Sequence, residues 1–468
     1  MTDSDRPAPA EASVEEWRRV VRKALGDCDL ATLNSATRDG IVIEPFYARR
    51  RDAVRVAGRG ADPWIVVQAV DASDPDAANA QALADLNGGA TGLSLRFKGA
   101  GTQAAEGLPL DAEALAIALD TVDVAAAHLR VEPHPEAVAI AGWLRDRVEV
   151  SGTAPELTDI SFGLDPVAIL SGGEAERFAG LLPCMQTLAA AGFRGPFATL
   201  DARLYHEAGA SEAQEIASVL AGAAWWLREA DNAGAAPDDC LPLLEASISA
   251  DRDQFLTIAK LRALQLVWAR FLELCHVPQQ ALRVHAETSR RMLTRADPAT
   301  NLLRNTIAAF AAGVGGAHSV MVVPHMAALG PADGNARALA RNIQLLLLEE
   351  SHVFRVADAA AGSGLVEALT EGLAERAWDE FQAIERDGGI VASLQAGTFQ
   401  ARIAEARTAL KDEVTSGKAP LIGATLYPAA DDADAAPTPE PHEAPNDVLA
   451  ALALAPVRLE ALAEGAAP

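Results

Sequence analysis

The sequence predicts an α/β fold: a TIM-type (β/α)8 barrel with an N-terminal arm and a C-terminal helical extension. Two observations carry this. Short apolar runs alternate with Ala-rich helical stretches through the middle of the chain. The alternation repeats seven or eight times over roughly 250 residues, the length such a barrel takes, and strand–helix alternation at this spacing implies βαβ units and a parallel sheet. An open sheet fits the same alternation, but the number of units favours the closed one.

Taken in order, residues 1–62 form the arm and an interface segment. Residues 1–13 are polar with Ala and Pro, and are expected to be disordered. A short helix is expected over Glu15–Leu25, followed by the irregular DGIVIEPFYARRRD. The barrel is assigned to residues 63–330. Its strand runs are Trp64–Val70, Thr91–Phe97, His128–Val131, Asp159–Leu164, Pro196–Leu200, Glu245–Ser249, Ala281–His285 and Ser319–Val323. Two helices follow from spacing alone. Leu261, Leu264, Trp268, Phe271, Leu272 and Cys275 recur at i, i+3, i+7, i+10, i+11 and i+14, and Ala336, Leu339, Ala340, Ile343, Leu346 and Leu347 recur at i, i+3, i+4, i+7, i+10 and i+11. Each leaves one apolar face wide enough to pack on a sheet. The extension, 331–425, holds helical segments at Leu365–Asp387 and Leu394–Ser416. The tail, 426–468, is Ala, Asp and Pro rich over Ala429–Pro445, as in a linker, and its end, NDVLAALALAPVRLEALAE, suits one short amphipathic helix or a loose terminus.

The 468 residues carry 39 basic and 65 acidic side chains, a net charge of −26. Such a surface repels nucleic acid and anionic membrane, which excludes both as partners. Cys28, Cys184, Cys240 and Cys275 are far apart, with no CxxC pair, as expected of reduced thiols in a cytoplasmic protein. The N-terminus has acidic residues and no apolar run, so it does not read as a signal peptide, and no stretch approaches the apolar length of a membrane span. Gly315-Gly316 and Gly88-Gly89 lack a following Walker-type Lys-Ser/Thr and read as turns. No nucleophile elbow is visible.

The longest informative constellation runs from Asp253 to Ser351: DQFLTIAKLRALQLVWARFLELC, LRVHAETSRRMLTRADP, RNTIAAFAAGVGGAHS and ARNIQLLLLEES. It resembles the acyl-CoA-binding barrel of the methylmalonyl-CoA mutase family, the adenosylcobalamin-dependent carbon-skeleton mutases. LVEALTEGLAERAW in the extension is similar to a phrase of the same family. The resemblance covers roughly residues 15–425 and implies the closed barrel.

The resemblance also implies which residues to inspect. Catalytic members carry Tyr-His-Met-Gln-Glu-Ala-Gly-Ala at the end of one strand, with Tyr and His beside the acyl group. Aligned on Glu207-Ala208-Gly209-Ala210, that Tyr falls on Arg203 and that His on Leu204. A two-residue gap would restore Tyr205 and His206, but strand register disfavours it. The family's Gly-His-Thr-Gln-Ser corresponds to Gly315-Gly316-Ala317-His318-Ser319, so Gly316 replaces the His and His318 the Gln. Its Tyr-x-x-Arg-Pro-Trp, whose Tyr lies over the substrate, corresponds to Arg59 through Trp64. Arg283, His285, Thr288 and Ser289 retain the look of Arg-x-His-x-x-Thr-Ser. Arg283 suits an acyl-CoA carboxylate or phosphate, and reads equally as a scaffold remnant.

Cobalamin-binding members add a flavodoxin-like domain after the barrel, with Asp-x-His-x-x-Gly supplying the cobalt ligand. None of the nine histidines here (128, 134, 206, 276, 285, 318, 325, 352 and 442) sits in that pattern, and no such domain is expected. The resemblance therefore implies a small, non-catalytic subunit of a heterodimeric methylmalonyl-CoA mutase, with adenosylcobalamin on a large-subunit partner, no catalytic residue of its own, and Arg59, Arg203, Leu204, Arg283, His285, Ser289, Gly316 and His318 as a vestigial pocket. Two alternatives stay open: the substrate-binding half of a split acyl-CoA mutase with a separate cobalamin protein, or a homodimeric acyl-CoA-binding pseudoenzyme.

Overall fold

The computed structural model describes residues 14–26, 28–56, 58–100, 107–171, 175–428, 452 and 454–463. The expected disorder of 1–13, the linker 429–445 and His442 lie outside these. The barrel strands are β1 (Ile65–Val70), β2 (Gly92–Leu95), β3 (His128–Val131), β4 (Ile160–Ser161), β5 (Ala198–Asp201), β6 (Leu244–Ala250), β7 (Arg283–Thr288) and β8 (Ser319–Met321). Every predicted run holds one. All pairing is parallel and between sequence neighbours, except that β4 and β5 do not pair as strands, and β8 returns to β1. The seam between β4 and β5 is closed by loop residues: Phe162 N–H donates to Pro196 O at 3.2 Å and Leu164 N–H to Phe197 O at 3.1 Å. The closed (β/α)8 barrel is thus present.

Eight helices alternate with the strands, in keeping with right-handed βαβ connection. They are α2 (Pro75–Asn87), α3 (Ala112–Ala118), α4 (Ala137–Ser151), α5 (Leu181–Ala190), α6 (Glu212–Asn232), α7 (Gln254–Leu274), α8 (Thr300–Val314) and α9 (Gly334–Leu345); α1 (Val14–Leu25) precedes them in the arm. Side chains at the strand-to-helix turns set their starts. Asp74, Asp111, Asp253 and Asp333 each accept an N–H of the first turn, and Ser211 with Gln214 makes a capping box on α6.

The barrel interior departs from the branched apolar filling usual for this fold. In β3, His-Leu-Arg-Val alternates polar and apolar residues, and the polar set points inward. Glu245, Ser247, His285, Glu287 and Ser319 take matching inward positions by register. Arg130, fully buried, donates to Ser247 Oγ at 2.9 Å, and Glu245 accepts from Ser161 at 2.9 Å and Thr199 at 3.0 Å. The apolar core lies between strands and helices, around Leu129, Leu264, Trp268 and Trp226.

The extension holds α10 (Gly364–Arg386), α11 (Ile390–Ala396) and α12 (Thr398–Thr415). Helix α10 packs on α6 and α7 through Phe271, Trp378 and Phe381, with ring centroids 5.4–6.1 Å apart. The segment expected as one stretch from Leu394 is two helices, because Gly397 stands at φ +77°. Among the described residues of the C-terminal stretch, the helix runs over Leu459–Ala463. Pro456 explains this: it removes an N–H donor and holds the preceding residue extended.

The arm runs down the outside of the barrel. At its upper part, Arg38 pairs with Glu212 at 2.9 Å and Asp39 accepts from Ser211 and Ala213 at the start of α6. Lower down, Arg50 N–H donates to Gly362 O at 3.0 Å. The start of α10 leaves no room there: a Cβ on Gly364 would lie 2.1 Å from Ala48 O, which is backbone. Gly364→Val should therefore lever the arm away and cost about 1–3 kcal/mol. Urea unfolding checks this, and limited proteolysis should cut the arm first.

Candidate functional site

The mouth at the C-terminal ends of the strands is where sites assemble in this fold. It is a cleft lined by Arg96, Glu132, Asp165, Asp201, Arg203, Leu204, Glu207, Glu287 and Arg290, with Leu452 over it. Arg203 opens the short helix Arg203–Glu207 that follows β5. Its guanidinium is spent entirely on carboxylates. Nε reaches Asp201 at 2.8 Å, Nη1 reaches Glu287 at 2.6 Å, and Nη2 reaches Glu132 at 2.5 Å and Asp201 at 2.8 Å. Burial alone would raise the Glu132 carboxyl; Arg203 and Arg130 outweigh it and hold it well below the usual carboxylate range. Burial would likewise lower Arg203, but Asp201, Glu132 and Glu287 lift it well above the usual value.

Arg203 and Leu204 face the cleft, whereas Tyr205 and His206 face away from it. Tyr205 packs on Phe399, centroids 5.1 Å apart, and His206 Nε2 lies 2.8 Å from Ser289 Oγ, with Nδ1 3.3 Å from Glu215. Ser289 is thus committed to His206 and buried.

The other residues singled out from the sequence lie elsewhere. His285 sits inside the barrel at mid-height, bonded to Ser319 Oγ at 2.8 Å, and burial lowers its pKa well below the usual value, so the ring is neutral. Arg283 begins β7, six residues and about 20 Å along the strand from Ser289. It forks onto Asp159, with both contacts at 2.9 Å, and lies 3.3 Å from His128. His318 begins β8. Its Nδ1 accepts Val284 N–H at 3.1 Å, and burial with the nearby Arg283 charge lowers it to about 4. Gly316 stands at φ +94°, and its carbonyl accepts Arg59 N–H at 3.2 Å. Arg59 donates to the carbonyls of Ala317 at 2.9 Å and Gly313 at 3.0 Å, and its guanidinium lies 5.6 Å from the Trp64 ring. Arg59, Gly316, His318 and Arg283 therefore gather at the N-terminal end, and Arg203, Leu204 and Ser289 at the mouth. They do not form one pocket.

Sequence reasoning missed the acids of the mouth. Glu132 directly follows β3, Asp201 ends β5, Glu287 is next to last in β7 and Asp165 lies in the loop after β4, and position near a strand's C-terminal end is the signal that would have found them. Two are shifted toward neutrality. Burial, then the Asp201 charge, raises Asp165 to about 8, and burial raises Glu207 to about 7. Such values mark candidate acid–base groups. Both, however, shape turns: Asp165 accepts Val167 N–H at 2.8 Å and Glu207 accepts Arg290 N–H at 3.0 Å. No histidine or cysteine lines the cleft beside them.

His128, His134, His206, His285, His318 and His352 are tied to neighbours in the fold. Among the described residues no cluster of His, Cys, Asp or Glu suits a metal ion, and no helix is long and apolar enough to cross a membrane.

Comparison with known proteins gives this geometry its context. The family model described as methylmalonyl-CoA mutase matches residues 199–455, more than half of the chain. The methylmalonyl-CoA mutase small subunit of Streptomyces virginiae is 38% identical over 445 residues, covering 89% of this chain and 71% of that protein. The small subunit of Propionibacterium freudenreichii subsp. shermanii is 35% identical over 417 residues, 81% of this chain and 63% of the relative. The large subunit from Streptomyces virginiae is 36% identical over 229 residues, 48% of this chain and 31% of its own length. With the closed parallel barrel, similarity of this reach shows that the chain belongs to the methylmalonyl-CoA mutase family.

Proposed function

We propose that this chain is the small, non-catalytic subunit of a heterodimeric, adenosylcobalamin-dependent methylmalonyl-CoA mutase of the cytoplasm. Its role is to stabilise a large subunit, which binds the cofactor and interconverts methylmalonyl-CoA and succinyl-CoA. One observation carries the reading. Where catalytic members place a tyrosine beside the acyl group, Arg203 is locked among three carboxylates. An anionic acyl group cannot take up this guanidinium, which is already held by Asp201, Glu132 and Glu287.

The arm supports a partner surface. Val20 on α1 is 59% exposed and Val54 is 82% exposed, beside a basic run, Arg49-Arg50-Arg51, in an otherwise acidic chain. Co-expression with a large subunit should give a stable 1:1 complex by light scattering. A homodimer that persists in the presence of the large subunit would contradict the role. Within the complex, Arg283→Met should change kcat/KM by less than about twofold, because Arg283 is already spent on Asp159. A loss of about tenfold or more would mean that it binds substrate.

A further inference from the structure

We propose that Leu452 and the C-terminal residues 454–463 form a built-in stopper of the barrel mouth, which opens only when they are lifted. Leu452 lines the cleft directly. Beyond it the chain is pinned to both loops that frame the mouth. Val457 N–H donates to Glu207 O at 2.7 Å, in the loop after β5, and Leu459 N–H donates to Arg291 O at 3.0 Å, in the loop after β7. The Glu460 carboxylate then accepts the N–H groups of Arg295 at 2.7 Å and Ala296 at 3.0 Å. Helix α12 holds the other side, with Gln400 Nε2 on Leu452 O at 3.0 Å and Arg407 Nη1 on Ala455 O at 3.3 Å.

Leu452, Leu454, Val457 and Leu459 are at most 6% exposed, so the segment is buried against the mouth. Its bonds are mainly backbone-to-backbone and side-chain-to-backbone, as in a docked strand of peptide. A ligand entering the cleft meets the Leu452 side chain at its wall. The inference concerns the chain alone and stands whichever partner the chain has.

The test uses the full chain carrying Leu204→Cys, treated with a neutral maleimide and followed by peptide mass spectrometry, with exposed Cys28 as the fast reference and buried Cys240 as the fold control. Residue 204 should label slowly. Adding Leu454→Asp should speed it about tenfold with Cys240 still protected. Equal labelling at residue 204 in both backgrounds would overturn the proposal. Hydrogen exchange on the unsubstituted chain decides independently of whether the variant folds. Slow exchange at Val457 and Leu459 supports the stopper, and random-coil exchange there overturns it.

Discussion

Arg203→Met should destabilise the chain by about 3–5 kcal/mol, measured as a fall in urea midpoint at unchanged slope. The substitution is close in volume, so packing is not the cause. It leaves Glu132, Asp201 and Glu287 facing one another in the mouth, each at most 10% exposed, without the cation that joins them. The pH dependence carries the same signature. In the native chain Glu132 is held below its ordinary 4.5, so its contribution is complete above about pH 4.5 and fades as the pH falls toward its folded value. In the variant, burial is opposed only by the more distant Arg130 and Arg96 charges, so the same carboxyl rises. The deficit should therefore be largest at neutral pH and shrink on acidification. A pH-independent loss would point to packing instead.

Glu215→Leu should cost a similar amount, about 3–5 kcal/mol, for the opposite reason. Lys260 lies on α7, wholly buried, with its ammonium 2.5 Å from Glu215. Glu215 also accepts Ser249 N–H at 2.6 Å, which ties α6 to the end of β6. Removing the carboxylate strands a charge in the apolar layer between helices. The double variant with Lys260→Met should recover most of the loss, since a buried pair replaced by apolar groups of similar volume is often neutral. A double variant no better than the single one would show that the Ser249 bond, not the ion pair, dominates.

Most of the fold was legible because parallel strands with helices on their outer face leave a strong alternation. All eight runs sit where strands form, and the ends differ by a few residues, as at Pro196–Leu200 against Ala198–Asp201. The mouth was only half legible. Motif alignment brought Arg203 and Leu204 forward, but Glu132 and Glu287 lie 71 and 84 residues away and meet Arg203 only once the barrel closes. The same limit explains Arg59, Gly316 and His318. Motif order says that they belong to the barrel, and only register says at which end. The docked segment after Pro456 was hidden for a further reason. Its partners are backbone groups of Glu207, Arg291, Arg295 and Ala296, which no side-chain pattern advertises.

The central claim is that the chemistry belongs to the partner, and single-turnover assay of the purified chain tests it most directly. With adenosylcobalamin and methylmalonyl-CoA present, the chain alone should form no succinyl-CoA, and the 1:1 complex with the large subunit should be active. Conversion by the chain alone would contradict the account.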